Sequence, residues 1–329
     1  MNDHPDVSEP TRRAVRDVAR ELGYRANPAA RGLRTGSTGM LALLAPDLLN
    51  PHFAEMTRHL QTITRAEGTL AVLSGYDSLD ASSATASVRS FIEHRVDGLI
   101  LMAESIPDEA LEALLAAKLP TVTSVEMPLA GVDHIRSVTG GMDLPAYRRA
   151  AYTIVEHLLD LGHRRIAYIA ESPAISGVQA RISGFQQAMA DHGLPPDSGR
   201  VWPEGPPVLP TSEFGYQATR ELFATGDRPT AICASSDMVA LGVLRALHEL
   251  GLDVPGDVSV TGHDGISHSA YTVPPLTTMQ TPYEPWCRTA LTLLRQLIVS
   301  SERSEPVCHE EFALVVREST GPPPSPKQR

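Results

Sequence analysis

PTAICASSDMVALGVLRALHELGLDVPGDVSVTGHD, residues 229–264, decides the fold. Thr230–Ala234 is an apolar run of strand length. Ser236 then offers a helix N-cap, and Asp237 puts a negative charge in the first turn, where the helix dipole favours it. Apolar residues recur at helical spacing as far as Leu250, and Gly251 stands where a helix end favours glycine. Val258–Gly262 is a second apolar strand. Strand, helix, strand in one short stretch is a βαβ unit. Its strands are apolar throughout rather than alternating, as strands buried on both faces of a parallel sheet are.

Working outward, the same rhythm fills the chain. Arg165–Ala170 is a strand, Ser176–His192 a helix stopped by Gly193, and Ser212–Thr225 a helix behind the proline-rich loop Trp202–Pro210. Pro145–Leu161 is a helix ahead of them. Thr277–Gln280, a helix over Pro282–Val299 and a strand over His309–Val316 close the unit. Upstream, strands at Met40–Ala45, Leu70–Ser74, Val96–Met102 and Pro120–Ser124 alternate with helices at Pro51–Glu67, Ala81–Arg95 and Pro107–Lys118. The fold class is therefore α/β, with two doubly wound parallel-sheet lobes. One lobe is expected over about 37–144 plus 280–303 and the other over about 145–279 plus 304–320, with a disordered tail at 321–329. Ligands of such sheets bind outside the carboxyl ends of the strands, which here means the crevice between the lobes.

With 329 residues, 42% hydrophobic and 20% charged, the chain has ordinary globular composition and enough length for two cores. No run reaches the roughly 18 apolar residues of a membrane helix, and the polar, Arg-rich start carries no secretory signal. A cytoplasmic protein is expected. Cys233, Cys287 and Cys308 form no CxxC pair or disulfide framework and are read as reduced thiols.

The net charge of −11 argues against a protein that coats nucleic acid. Its distribution points the other way at one place. Between Thr11 and Arg34 seven arginines face only Asp17 and Glu21, so the segment is locally about +5. Ser8 caps a helix whose stripe is Ala14, Val15, Val18, Ala19 and Leu22, with Gly23 as its stop. Asn27-Pro28 starts a second helix, Ala29–Arg34, too short to be stable alone and weakened by Gly32. Leu33 between Arg31 and Arg34 has no core of its own. It reads either as an apolar wedge for a DNA minor groove or as a linker residue packed on the first lobe.

The motifs taken together resemble the LacI/GalR family of bacterial transcription regulators. They are VSEPTRRAVRDVARELGYRANPAARGLRTGSTGMLALLAPDLLNPHFAEM from Val7, VDGLIL at Val96–Leu101, EHLLDLGHRRIAYI at Glu156–Ile169 and ARISGFQQAM at Ala180–Met189. Residues 229–264 and PPLTTM at Pro274–Met279 complete the set. The resemblance runs from Val7 to about Thr320. It implies a homodimer with a core similar to periplasmic binding proteins, in which a small effector, a sugar or nucleoside-like molecule, closes the crevice. It also implies a hinge helix whose leucine enters the operator minor groove, which assigns DNA contacts to Asn27, Ala30, Arg31, Leu33 and Arg34. Family members carry about twenty further N-terminal residues, a helix-turn-helix that reads the major groove. From Met1 this chain supplies only a remnant of that headpiece within residues 1–36. Either translation starts upstream, or the protein is a headless small-molecule sensor or solute-binding protein that lacks specific DNA recognition.

The resemblance also assigns an effector site. Arg181 can grip two hydroxyls or a carboxylate with its fork, and Asp264 can accept from two hydroxyls, a donor–acceptor clamp. Asn50-Pro51-His52-Phe53 matches the opening turn of the first lobe, where Phe53 stacks on a ligand ring or is simply core. Ser236-Asp237 matches a place where an amide is common. Ala146-Tyr147, His263 and Gly265 depart from the family pattern and blur the ligand's identity. An enzyme is not expected: the chain has no GxSxG, HExxH, P-loop or GxGxxG, and its histidines form no metal cluster. No cofactor and no metal are expected.

Overall fold

A computed structural model describes residues 8–22, 36–76, 81–103, 106–124, 131–170, 175–195, 199–202, 211–226, 228–299 and 306–325. The hinge residues Asn27, Ala30, Arg31, Leu33 and Arg34 lie outside them.

The first lobe is a five-stranded sheet of order β2-β1-β3-β4-β5, built from Met40–Ala45 (β1), Leu70–Gly75 (β2), Gly98–Leu101 (β3), Thr121–Thr123 (β4) and Ile135–Ser137 (β5). Every pairing in it is parallel. Helices α2 (Pro51–Ala66), α3 (Ala81–Glu93) and α4 (Asp108–Ala117) follow α1 (Glu9–Glu21) of the head. The strands bury both faces. Leu41, Leu43 and Ile100 pack with α2 residues Met56 and Leu60, while Ala42, Leu44, Leu99 and Leu101 pack with Val88, Phe91 and Leu114 of α3 and α4. This two-sided burial is why the strands read as continuous apolar runs.

The second lobe is a six-stranded sheet of order β13-β11-β10-β9-β7-β8. Its strands are Ile166–Ile169 (β7), Gly199–Trp202 (β8), Ala231–Ala234 (β9), Ser259–Asp264 (β10), Thr277–Gln280 (β11) and Ala313–Val315 (β13), the last antiparallel to β11. Helices α5 (Leu144–Asp160) and α6 (Ser176–Asp191) cover one face, and α7 (Thr211–Ala224) and α8 (Asp237–Glu249) the other. A Cβ on Gly242 of α8 would run into the Ser212 carbonyl of α7, so this helix pair approaches backbone to backbone. The lobes exchange chain three times. Thr139–Gly140 (β6) leads into α5, β11 leads into α9 (Tyr283–Val299), and Val307–Cys308 (β12) leads back to β13. β6 and β12 pair in parallel as a two-stranded hinge, and α9 returns to pack with the first lobe's core through Trp286, Cys287 and Leu291.

Four strands escape the sequence pattern, among them the two-residue β12 just ahead of the strand expected from His309. β5 and β6 are short and only half-buried, and β8 precedes the proline-rich loop as an edge strand. The tail expected to be disordered is corrected in its first residues. His163, buried in the second lobe, bonds Thr230, Ser259 and the carbonyl of Gly321, and Gly162 faces Pro323. His157 adds a bond to Thr320. The two histidines are structural, holding the C-terminus onto the lobe.

Candidate functional site

The crevice is lined from both lobes. On the first, Asn50 caps α2 by accepting from the His52 amide at 3.0 Å, and Pro51 occupies the first helical turn, where its missing N–H is harmless. That start aims His52 out of the helix. Its Nδ1 shares a 3.0 Å hydrogen bond with the hydroxyl of Tyr283 and stands 3.6 Å from Asp264 Oδ1 of the second lobe. Burial, and then the Arg181 charge, hold the His52 pKa down to about 3. His52 is therefore neutral at physiological pH, and the Asp264 contact is not an ion pair.

On the second lobe, β10 ends in His263-Asp264, both buried. The Asp264 backbone has φ of 119°, a left-handed region that costs a non-glycine residue strain and recurs at ligand clamps. His263 lies between Phe312 and Tyr147, with ring centroids 4.8 Å and 5.8 Å away. Its Nε2 is buried without a hydrogen-bond partner, and burial followed by the Arg181 and His52 charges holds its pKa well below the usual imidazole value. Arg181, buried on α6, lays its guanidinium 4.9 Å over the ring of Tyr147. Tyr283, Tyr147 and Phe312 complete a ring-lined floor around one guanidinium and one carboxylate.

The structure thus brings together His52, Arg181 and Asp264, with Phe53 edge-on to His52 at 5.0 Å and also packed against the first lobe's core. Three other assigned residues also bond within the fold. Asn50 and Ser236 spend their side-chain oxygens on helix caps, Ser236 accepting from Val239 N at 3.2 Å. Asp237 has no exposed surface and takes donors from Thr278 Oγ1 at 2.5 Å and Ile266 N at 2.8 Å. Burial raises its pKa to about 7 against the pull of those bonds. It fixes the turn after β10. Tyr147, His263, Tyr283 and Phe312 are the residues sequence reasoning did not assign. Tyr147 and His263 were visible only as departures from a pattern. Gly265 has a physical reason: a Cβ there would stand 2.6 Å from Gln280 Cα, because β11 crowds the turn.

A family model, the periplasmic binding protein-like domain, matches residues 155–320. The HTH-type transcriptional regulator GalR of Salmonella typhimurium is 31% identical, covering 86% of this chain and 79% of its own. The chain belongs to the LacI/GalR family. Catabolite control protein A of Priestia megaterium is 28% identical over 97% of this regulator and 93% of its own length. A LacI family transcriptional regulator from Enterococcus faecium, solved with bound ribose, superposes with a TM-score of 0.73 at 26% identity, covering 86% of this chain and 99% of its own. The protein is a transcription regulator with a periplasmic-binding-protein-like core, and these relatives are transcription regulators. The regulator reading is favoured over the solute-binding one. Among the described residues no helix is long and apolar enough to cross a membrane, and no group of three or more His, Cys, Asp or Glu could hold a metal.

Proposed function

We propose that this regulator acts in the cytoplasm as a homodimeric repressor, and that a sugar-like or nucleoside-like effector held between Arg181 and Asp264 controls its grip on DNA. The observation that carries the reading is the convergence of His52 from one lobe with Asp264 from the other, around a buried guanidinium. A polyol needs donors and acceptors in fixed positions and apolar faces for its ring carbons. Arg181 supplies donors, Asp264 acceptors, and Phe53, Tyr147 and Phe312 the faces. The ribose found in the Enterococcus relative supports a small polar ligand. A compound that binds both lobes favours the closed state by its differential affinity, and that shift is what a hinge at Asn27–Arg34 would transmit to a minor groove through Arg31, Leu33 and Arg34.

The proposed dimer finds support in the second lobe, where Tyr271 and Val273 are 85% and 94% exposed and stand two positions apart in sequence. Large apolar side chains presented together in this way mark protein contacts.

Thermal-shift measurement against pentoses, hexoses, nucleobases and nucleosides tests the effector site. Arg181→Ala and Asp264→Ala are each expected to abolish the shift given by any compound that stabilises the unaltered protein. A shift that survives both substitutions places the site elsewhere.

A further inference from the structure

One hydrogen bond crosses the crevice at its rim. Glu55 Oε1 on α2 accepts from the backbone N–H of Ser267 at 2.7 Å. Glu55 sits three residues beyond His52, so the two share a helix face, and that face meets the turn Asp264–Ser267. The turn is unusual in its own right. Its backbone reverses through positive φ at Asp264 and Gly265, which aims successive N–H groups outward from the end of β10. Gly265 and Ile266 donate to Asp237 within the second lobe. Ser267 donates to a carboxylate of the other lobe.

We infer that Glu55 is a positioning residue that latches the lobes together by binding the Ser267 amide, setting how far the crevice is closed before any effector arrives. The inference rests on the crevice being the effector site. The latch fits that role chemically. A carboxylate meeting a backbone N–H makes a charge-assisted bond that works only at one lobe separation, and an exposed bond is readily exchanged for water when the lobes part. An effector binding beneath it meets a protein already biased toward closure, so the latch sets apparent affinity without touching the effector.

Distances between spin labels report closure directly, with no effector present. Labels are attached through Glu93→Cys on α3 and Glu221→Cys on α7, both exposed, in the full chain; the three native cysteines are buried. Glu55→Ala is expected to lengthen the interlobe distance and lower the closed-to-open ratio by about tenfold. Glu55→Gln, which keeps an acceptor oxygen, falls between. Glu67→Gln, which alters a contact with Arg295 inside the first lobe, leaves the distribution as it was. Ser267→Pro removes only the donor: Ile266 before it has φ −60° and ψ 148°, compatible with a following proline, and Ser267 opens its 3-10 turn. It should reproduce Glu55→Ala, and the double variant should add nothing further. An unchanged distance in Glu55→Ala, or effects of the two that simply sum, overturns the latch. If Ser267→Pro does not fold, Glu55→Ala against Glu67→Gln still decides. These readings use no effector, so failure of the latch leaves the Arg181 and Asp264 thermal-shift test standing, and failure of that test leaves the measured distances standing.

Discussion

At the scale of single residues, the site is built from groups held away from their usual protonation behaviour. His52 titrates near 6.5 when the chain is unfolded and near 3 when folded, because burial and Arg181 disfavour its cation. Between those values the unfolded chain takes up the proton and the folded one does not, so this contribution to stability is lost as pH falls from 6.5 toward 3. At about pH 4.5 the gap amounts to at most about 2.7 kcal/mol. His263 acts in the same direction, whereas Asp237, raised by burial, acts in the opposite one. Melting curves of the protein and of His52→Gln at about pH 7 and about pH 4.5 separate the histidine: the variant should lose less of its Tm on acidification. Equal losses would show that His52 titrates normally in the fold.

At the scale of elements, helices were the most legible parts of the sequence and short strands the least. The βαβ unit at residues 229–264 comes out as β9, α8 and β10 because N-cap, apolar spacing and terminal glycine all agree there. β5 and β6 hold three and two residues, too few to show a period, and they exist because β4 and β12 offer partners. Glycine inside a helix reads as a weak point in sequence, yet Gly242 is where α7 and α8 touch. Gly242→Ala should cost roughly 1–3 kcal/mol by forcing that pair apart. Chemical denaturation measures it, and a variant as stable as the parent would mean the helices can separate freely. Because the contact lies on the face of the sheet covered by α7 and α8, thermal shifts with a stabilising sugar or nucleoside should keep their size.

At the scale of the whole molecule, two sheets joined by three crossovers make a hinged body in which relative motion is the natural response to a ligand. Its coupling to the proposed second subunit belongs to this scale. The Ser267–Tyr271 turn receives Glu55 from the first lobe at one end and presents Tyr271 at the other. Tyr271→Asp and Val273→Asp place a charge in the surface proposed to join subunits, and sedimentation at micromolar concentration should then show monomers. If both variants sediment with the unaltered protein, this surface does not join subunits.

The sequence by itself determined the α/β architecture and the family, and it singled out Arg181 and Asp264, the pair proposed to hold the effector, because strand burial, helix capping and motif order are local and repeat along the chain. Only the tertiary structure decided which polar residues face the crevice. Asp237 carries the same chemistry as a ligand-binding group, and nothing nearby in sequence shows that Thr278 and the Ile266 amide bond it. Tyr147, Tyr283 and Phe312 meet His52, Arg181 and His263 from distant segments. Such meetings depend on how the crossovers set one lobe against the other, which no local pattern encodes.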